Sequence, residues 1–267
     1  MFLSETLIHT VAASETDYMI DRMQAIAERP GNPEGIAMER FGDAVCFYSR
    51  TMPWGNFNTV KGMTSQSMES LDDMIAFYRS KDRKAQFEIV PSRANQGLLS
   101  KLAERGFYQS GFHASMYASL ADGDGLKPRE DVRIDTVSER DIDSYAAIHC
   151  RGTGLADDGI PYVAANNRVL IDRTGWKFYC AYVDDVLAAV GVMAEKDAVT
   201  SLTFAATLPE YRNRGLHASL LMHRMAEAAK SGCRLAVSQC QFLSQSHRNM
   251  ERVGMKLAYV RTTWTER

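Results

Sequence analysis

The sequence holds only five cysteines, Cys46, Cys150, Cys180, Cys233 and Cys240, and no two of them form a CxxC pair. An odd, scattered set excludes a disulfide framework and reads as reduced thiols, most of them small buried hydrophobes. None of the histidines (His9, His113, His149, His217, His223, His247) stands at HxxxH or HExxH spacing, so no metal is expected. No apolar run approaches the ~20 residues of a membrane span. The opening MFLSETLIHT has neither the basic start nor the apolar stretch of a signal peptide. A cytoplasmic protein with no membrane association is expected. A dominant charge sign is missing as well: 31 basic and 33 acidic residues leave a net charge of -2. This argues against a nucleic-acid or anionic-membrane binder, whose affinity would rest on a basic surface. What the chain does have is length and apolar content. With 267 residues, 45% of them hydrophobic, it can build one large domain or two ordinary ones.

ADGDGLKPRED (121–131) is rich in Gly, Asp and Pro and reads as a linker. It separates an N-terminal unit, 1–122, from a C-terminal unit, 132–267. In the second unit VRIDTV (132–137) alternates as a strand, and Ser138 can cap a helix running to about His149. After the loop RGTGLADDGIPY comes a helix over 163–172. WKFYCAYV (176–183), VLAAVGVMAE (186–195) and VTSLTFAAT (199–207) then form an antiparallel meander. A helix over 217–230 carries an apolar stripe through Leu220, Leu221, Met225 and Ala228 and ends at Gly232. A strand (233–240), a helix (246–253) and a final strand (256–264) complete the order β-α-α-β-β-β-α-β-α-β. The first unit reads similarly: a helix at about 15–28, strands at 35–40 and 44–50, a strand near FNTVKGM, a helix at 69–80, a strand at 86–90, a helix at 94–107 and a strand at 112–120. LAERGF (102–107) and MERVGM (250–255) close the corresponding helices alike, which points to a diverged internal repeat. PWGNFN (53–58) lines an interface or an acceptor cleft, or is a plain loop.

One segment carries chemistry. Arg212-Asn213-Arg214-Gly215-Leu216-His217-Ala218 joins a strand to a helix. The first N–H groups of a helix lack internal partners and point outward, where the dipole favours an anion. Glycine lets the loop come close, and the arginines add charge-assisted hydrogen bonds. Such a loop suits a pyrophosphate; by itself it is also compatible with an ordinary connection bearing solvated arginines. GxxxxGK[ST] and GxGxxG are both absent.

TLPEYRNRGLHASLL resembles the central motif of the GNAT acetyltransferases, Arg/Gln-x-x-Gly-x-Gly/Ala leading into a helix. SHRNMERVGMKLAY resembles the closing helix and strand of that family, and VSERDIDSYAAIH its opening strand and helix. The resemblance covers about 135 residues in the right order. It implies an α/β fold with a mixed sheet, as two tandem GNAT-like domains of which the first is a degenerate copy. It also implies acetyl-CoA as acyl donor. The pantetheine arm would pair with Ala205, Ala206 and Thr207 in a gap beside the strand around Leu235. The pyrophosphate would sit on the amides from Asn213 to Ala218, next to Arg212. The closing helix would add Ser246 and Asn249 as polar contacts, or Ser246 caps that helix and Asn249 is solvated.

Two positions depart from the family pattern. His217 replaces the usual Gly or Ala; its side chain would crowd the phosphates or, as a protonated imidazole, contact them. Met250 replaces the tyrosine that can protonate the departing thiolate. For the base that deprotonates the amine, Glu195, Asp197, Tyr182 and Tyr259 qualify by residue type alone, or each is structural or solvated. Asp157 and Asp158, in a Gly-rich loop, would attract a cationic acceptor, or are simply solvated. The expected activity is acetyl transfer to a primary amine of a small molecule or a protein. The competing reading is a non-catalytic acyl-CoA sensor; a third, transfer from aminoacyl-tRNA, is disfavoured by the neutral charge. In the first unit TSQSMES stands where the phosphate loop would be, with no Arg and no Gly.

Overall fold

The computed structural model describes residues 2–121 and 132–267. Apart from Ala121, the linker expected at 121–131 lies outside the described residues. The chain forms two compact units. One comprises Phe2–Ser115 together with Leu257–Arg267, and the other Met116–Lys256.

In the N-terminal unit, α1 (Glu5–Ala27) precedes β1 (Ala37–Phe41), β2 (Ala44–Tyr48) and β3 (Thr59–Lys61). Then come α2 (Leu71–Arg79), β4 (Gln86–Ile89), α3 (Gln96–Glu104) and the first part of β5 (Phe107–Ser119). The closing strand of the chain, β11 (Lys256–Glu266), completes this sheet in the order β1-β2-β3-β4-β11-β5. Its register with β4 runs from Thr262↔Ile89 to Thr265↔Gln86. In the sequence this strand reads as the last element of 132–267. Alternation marks a half-buried strand but does not say which sheet receives it. α1 begins ten residues earlier than the expected 15–28, because the Ser4 hydroxyl caps it by accepting from Leu7 N–H (3.2 Å).

Apolar side chains pack below this sheet, among them Val60, Leu71, Met74, Tyr78, Phe87, Leu98 and Leu102. Tyr78 Oη donates to Phe47 O at 2.8 Å. A second layer is ionic. Lys61 on β3, Glu88 on β4 and Arg261 on β11 form a buried row, and Glu15 of α1 reaches into it. Lys61 Nζ donates to Glu15 Oε1 at 2.9 Å and also to Glu88, while Arg261 Nη1 donates to both carboxylates. Two cations and two anions balance, so charge can be kept out of water here. The neighbouring cations hold the Glu15 carboxyl below its usual range despite the opposing effect of burial.

The C-terminal unit contains β6 (Arg133–Thr136), α4 (Ile142–Thr153), α5 (Ile160–Ile171), β7 (Trp176–Val183), β8 (Val186–Lys196) and β9 (Val199–Thr207). α6 (Leu216–Lys230), β10 (Leu235–Gln241) and α7 (Gln245–Arg252) follow. The sheet runs β10-β9-β8-β7-β6, with β9 and β10 parallel and the other pairs antiparallel. Residues 116–119 of β5 border β10, and Leu120 N–H donates to Arg234 O at 2.9 Å. Each expected element of this unit is present. Ser138 and Asp141 form a capping box before α4. Asp184 and Asp185, both at positive φ, make the tight β7–β8 turn. Among the described residues no helix is long and apolar enough to cross a membrane.

Candidate functional site

The site grows from a mismatch in length between two parallel strands. β9 and β10 pair over Leu235↔Val199, Ala236↔Thr200 and Val237↔Ser201. Past Val237 the pairing stops, although β9 runs on to Thr207 and β10 to Gln241. There Ser238 Oγ donates to Leu202 O (2.7 Å), a side chain taking over from the ladder. A notch therefore opens between the C-terminal ends of the two strands.

On its other edge β9 is irregular too. Val190 faces Ala206 and Val192 faces Thr203, so Gly191 on β8 stands against both Phe204 and Ala205. Such a bulge bends the strand that carries the extra residue. Phe204 takes up the extra residue with φ of +46°, a left-handed conformation unfavourable for a bulky side chain. Ala205, Ala206 and Thr207, expected from the sequence to face the cosubstrate, thus lie between a bulge and an open strand end.

The loop after β9 begins with a single 3-10 turn, Pro209–Tyr211. Asn213 (φ +63°) and Gly215 (φ +80°) both adopt left-handed backbone. Alternating handedness turns successive N–H groups toward one side and makes a concave anion nest. Gly215 is the N-cap of α6 and no side chain caps the helix there, so the first N–H groups, those of Leu216, His217 and Ala218, keep their capacity for an outside acceptor. Arg214 is exposed, its guanidinium carbon 5.1 Å from the Tyr211 ring centroid. Arg212 is partly committed: its Nη2 donates to Gly152 O at the end of α4 (3.0 Å). The N-terminal unit differs at the matching place. There the turn entering α2 is closed by its own capping box, Thr64 with Ser67.

His217 overturns one expectation. Its Nδ1 lies 3.2 Å from Asn249 Nδ2, so the ring accepts from the amide of α7. Burial, with the nearby Arg224 guanidinium, pushes the imidazole down to about 4. The ring is neutral near neutral pH and brings no charge to a phosphate. Asn249 is correspondingly not a solvated residue; it also joins Gln245 Nε2 (2.9 Å) and Arg252 Nη1 (2.9 Å). Ser246 is half-buried, and the capping role belongs to Ser244, which accepts from His247 N–H at 3.2 Å. Met250 is buried.

Geometry removes most of the candidate bases. Glu195 faces Thr200 and Asp197 lies in the β8–β9 turn, at the start of β9. Seven residues of strand, roughly 23 Å, separate Thr200 from Thr207 at the notch. Glu195 is moreover paired with Lys177 (3.3 Å). Tyr182 lies on β7 with Arg133 over its ring (3.7 Å), and Cys180 with burial pushes its phenol up to about 12. Asp157 is held by Arg151 through two hydrogen bonds of 3.0 and 2.9 Å, which keep its carboxyl below the usual range. Asp158 is exposed. The α4–α5 loop carrying both is nonetheless close to the notch. A Cβ on Gly152 would come within 2.9 Å of Ala206 Cβ and 3.0 Å of Thr207 N, so only glycine lets α4 end this near β9.

Sequence reading misses two contributors, Ser238 and Arg224, and takes Gly152 only as a flexible glycine of the loop, not as a close-packing one. Arg224 has a legible signal, since it lies in the apolar stripe of α6, four residues after Leu220 and four before Ala228. It is 1% exposed, and an unpaired charge on a buried helical face is rare.

No protein-family model matches the chain, and no curated protein matches it in sequence. Solved structures do. A GCN5-related N-acetyltransferase from Kribbella flavida is 19% identical over 92% of this chain and 95% of its own, with a TM-score of 0.66. A tandem GNAT protein from the clavulanic acid biosynthesis pathway is 15% identical over 95% and 94%, with a TM-score of 0.61. A conserved protein of unknown function from Staphylococcus epidermidis is 15% identical over 88% and 94%, with a TM-score of 0.62. The chain has the fold of the GNAT acetyltransferases, in tandem.

Proposed function

We propose that the C-terminal unit transfers an acetyl group from acetyl-CoA to a primary amine of a small molecule or a protein. The observation that carries this reading is the uncapped start of α6 beside the open end of β9. A nest of N–H groups for a pyrophosphate and a strand edge for an amide-bearing arm lie one short loop apart. Arg214 and the second face of Arg212 would add charge-assisted contacts. Ala205, Ala206 and Thr207 would hold the arm through backbone, and Asn249 with Ser246 would border it from α7. In the transfer, the amine nitrogen attacks the thioester carbonyl, the carbon–sulfur bond breaks, and the amine proton leaves through a base or water. Backbone N–H groups at the bulge would stabilise the developing oxyanion.

We read the N-terminal unit as a copy that no longer takes CoA, because its helix start is satisfied by its own side chains. A non-catalytic acyl-CoA sensor is the second reading, favoured by Met250, a buried thioether that cannot protonate a leaving thiolate. Release of CoA thiol, followed with a thiol reagent across a broad amine panel, separates the two. Steady turnover with at least one amine supports the transferase. Tight acetyl-CoA binding with no turnover supports the sensor, and no binding at all removes both.

A further inference from the structure

α6 carries a buried guanidinium that no loop motif explains. Arg224 Nη1 donates to Val192 O (2.7 Å) and Thr203 O (3.2 Å), and Nε donates to Leu220 O of its own helix (3.0 Å). Val192 and Thr203 are the last pair before the β8–β9 ladder slips. Gly191, opposite the bulge, makes room for the group: a Cβ there would lie 3.0 Å from Arg224 Cζ. Nη2 is buried with no hydrogen-bond partner among the described residues, and no carboxylate there forms an ion pair with this arginine. Burying a charge so incompletely compensated is costly. A leucine would stabilise a helix–sheet contact better, so the arginine is explained by what it holds.

Resting on the acetyl-CoA reading above, we propose that Arg224 is the positioning residue of the notch. Its fork ties both strands to α6 at the slip and fixes the bulge. The backbone of Ala205, Ala206 and Thr207 is thereby presented at a set angle to the pantetheine arm, on the same helix whose first turn receives the pyrophosphate. Without the fork, the left-handed Phe204 would relax and β9 would straighten toward β10, narrowing the notch. Burial lowers the guanidinium to about 10, which leaves it charged at neutral pH. The same charge helps to keep His217 neutral, so that its Nδ1 can accept from Asn249 and join α6 to α7.

The test uses the full chain with three substitutions: Arg224→Met, Arg224→Lys and Gly191→Ala. CoA affinity is measured by titration calorimetry, and amide exchange is followed in β9 and α6. In Arg224→Met, CoA affinity is expected to fall at least tenfold, with exchange of the 203–207 amides at least tenfold faster and that of α6 unchanged. Arg224→Lys, which restores the charge but on one nitrogen in place of the fork, should recover part of both. Gly191→Ala keeps Arg224 but presses on it, and should reproduce the effect on 203–207; it decides the matter if Arg224→Met does not fold. Wild-type affinity and exchange in a folded Arg224→Met, or faster exchange spread evenly over the unit, overturns the proposal. If the native chain fails to bind CoA, the acetyl-CoA reading falls, while the exchange data alone still decide whether Arg224 fixes the bulge.

Discussion

Gly215 and His217 stand two residues apart and work by different physics. Gly215 provides left-handed backbone at φ +80° with no Cβ to strain it. Gly215→Glu adds both strain and a negative charge where an anion is to sit, and Arg214→Ala removes a charge-assisted donor. Each is expected to weaken CoA binding tenfold or more by calorimetry; wild-type affinity in both would remove the phosphate site. His217 is a neutral acceptor, and the sign of its linkage follows. Its folded value near 4 lies below the ordinary 6.5, so protonation favours the unfolded chain. The stability it contributes is complete above pH 6.5 and is lost as pH falls toward 4. The melting temperature of the native protein should therefore drop more between pH 6.5 and 4.5 than that of His217→Gln, which keeps a polar group for Asn249. Parallel curves would show that the ring is not buried in neutral form. The phosphate loop was legible because its parts are adjacent in sequence. The state of His217 was not, because it depends on Asn249 and Arg224, which only folding brings near.

At the scale of elements, the bulge in β9 and the ionic row beneath α1 both place polar groups where apolar ones would be the simpler choice. The row Lys61–Glu88–Arg261 with Glu15 is balanced, so removing one member leaves a buried charge without its partner. Lys61→Met should cost about 3–5 kcal/mol in urea unfolding followed by a probe in the N-terminal unit. Lys61→Met combined with Glu88→Leu restores neutrality, with Arg261 facing Glu15, and should recover much of that loss. An additive double substitution would mean that the four groups do not act as a network. These features also set the limit of what the sequence shows. Periodicity locates nearly every helix and strand, yet α1 begins ten residues before the expected start, because the cap that starts it, Ser4, lies upstream of the stretch that reads as helix. The slip opposite Gly191 has no local signal beyond the glycine itself.

For the whole molecule, the feature that matters most is that Leu257–Arg267 complete the N-terminal unit. A chain ended at Lys256 would leave β4 without β11 and the ionic row without Arg261. Amide exchange of β3 and β4 should then lose its protection while β7, β8 and β9 keep theirs; equal protection in both sets would show that β11 is dispensable. The same connection bears on the order of events during synthesis. Arg261 and Glu88 are 173 residues apart. A ribosome adding about 5–20 residues per second needs roughly 9 to 35 seconds to deliver the partner that Glu88 awaits. Throughout that interval β4 has an open edge and Glu15 and Glu88 lack their second cation, a state that invites chaperone capture or pairing with another nascent chain. The N-terminal unit is thus completed only when β11 emerges, after the C-terminal unit between them has been made.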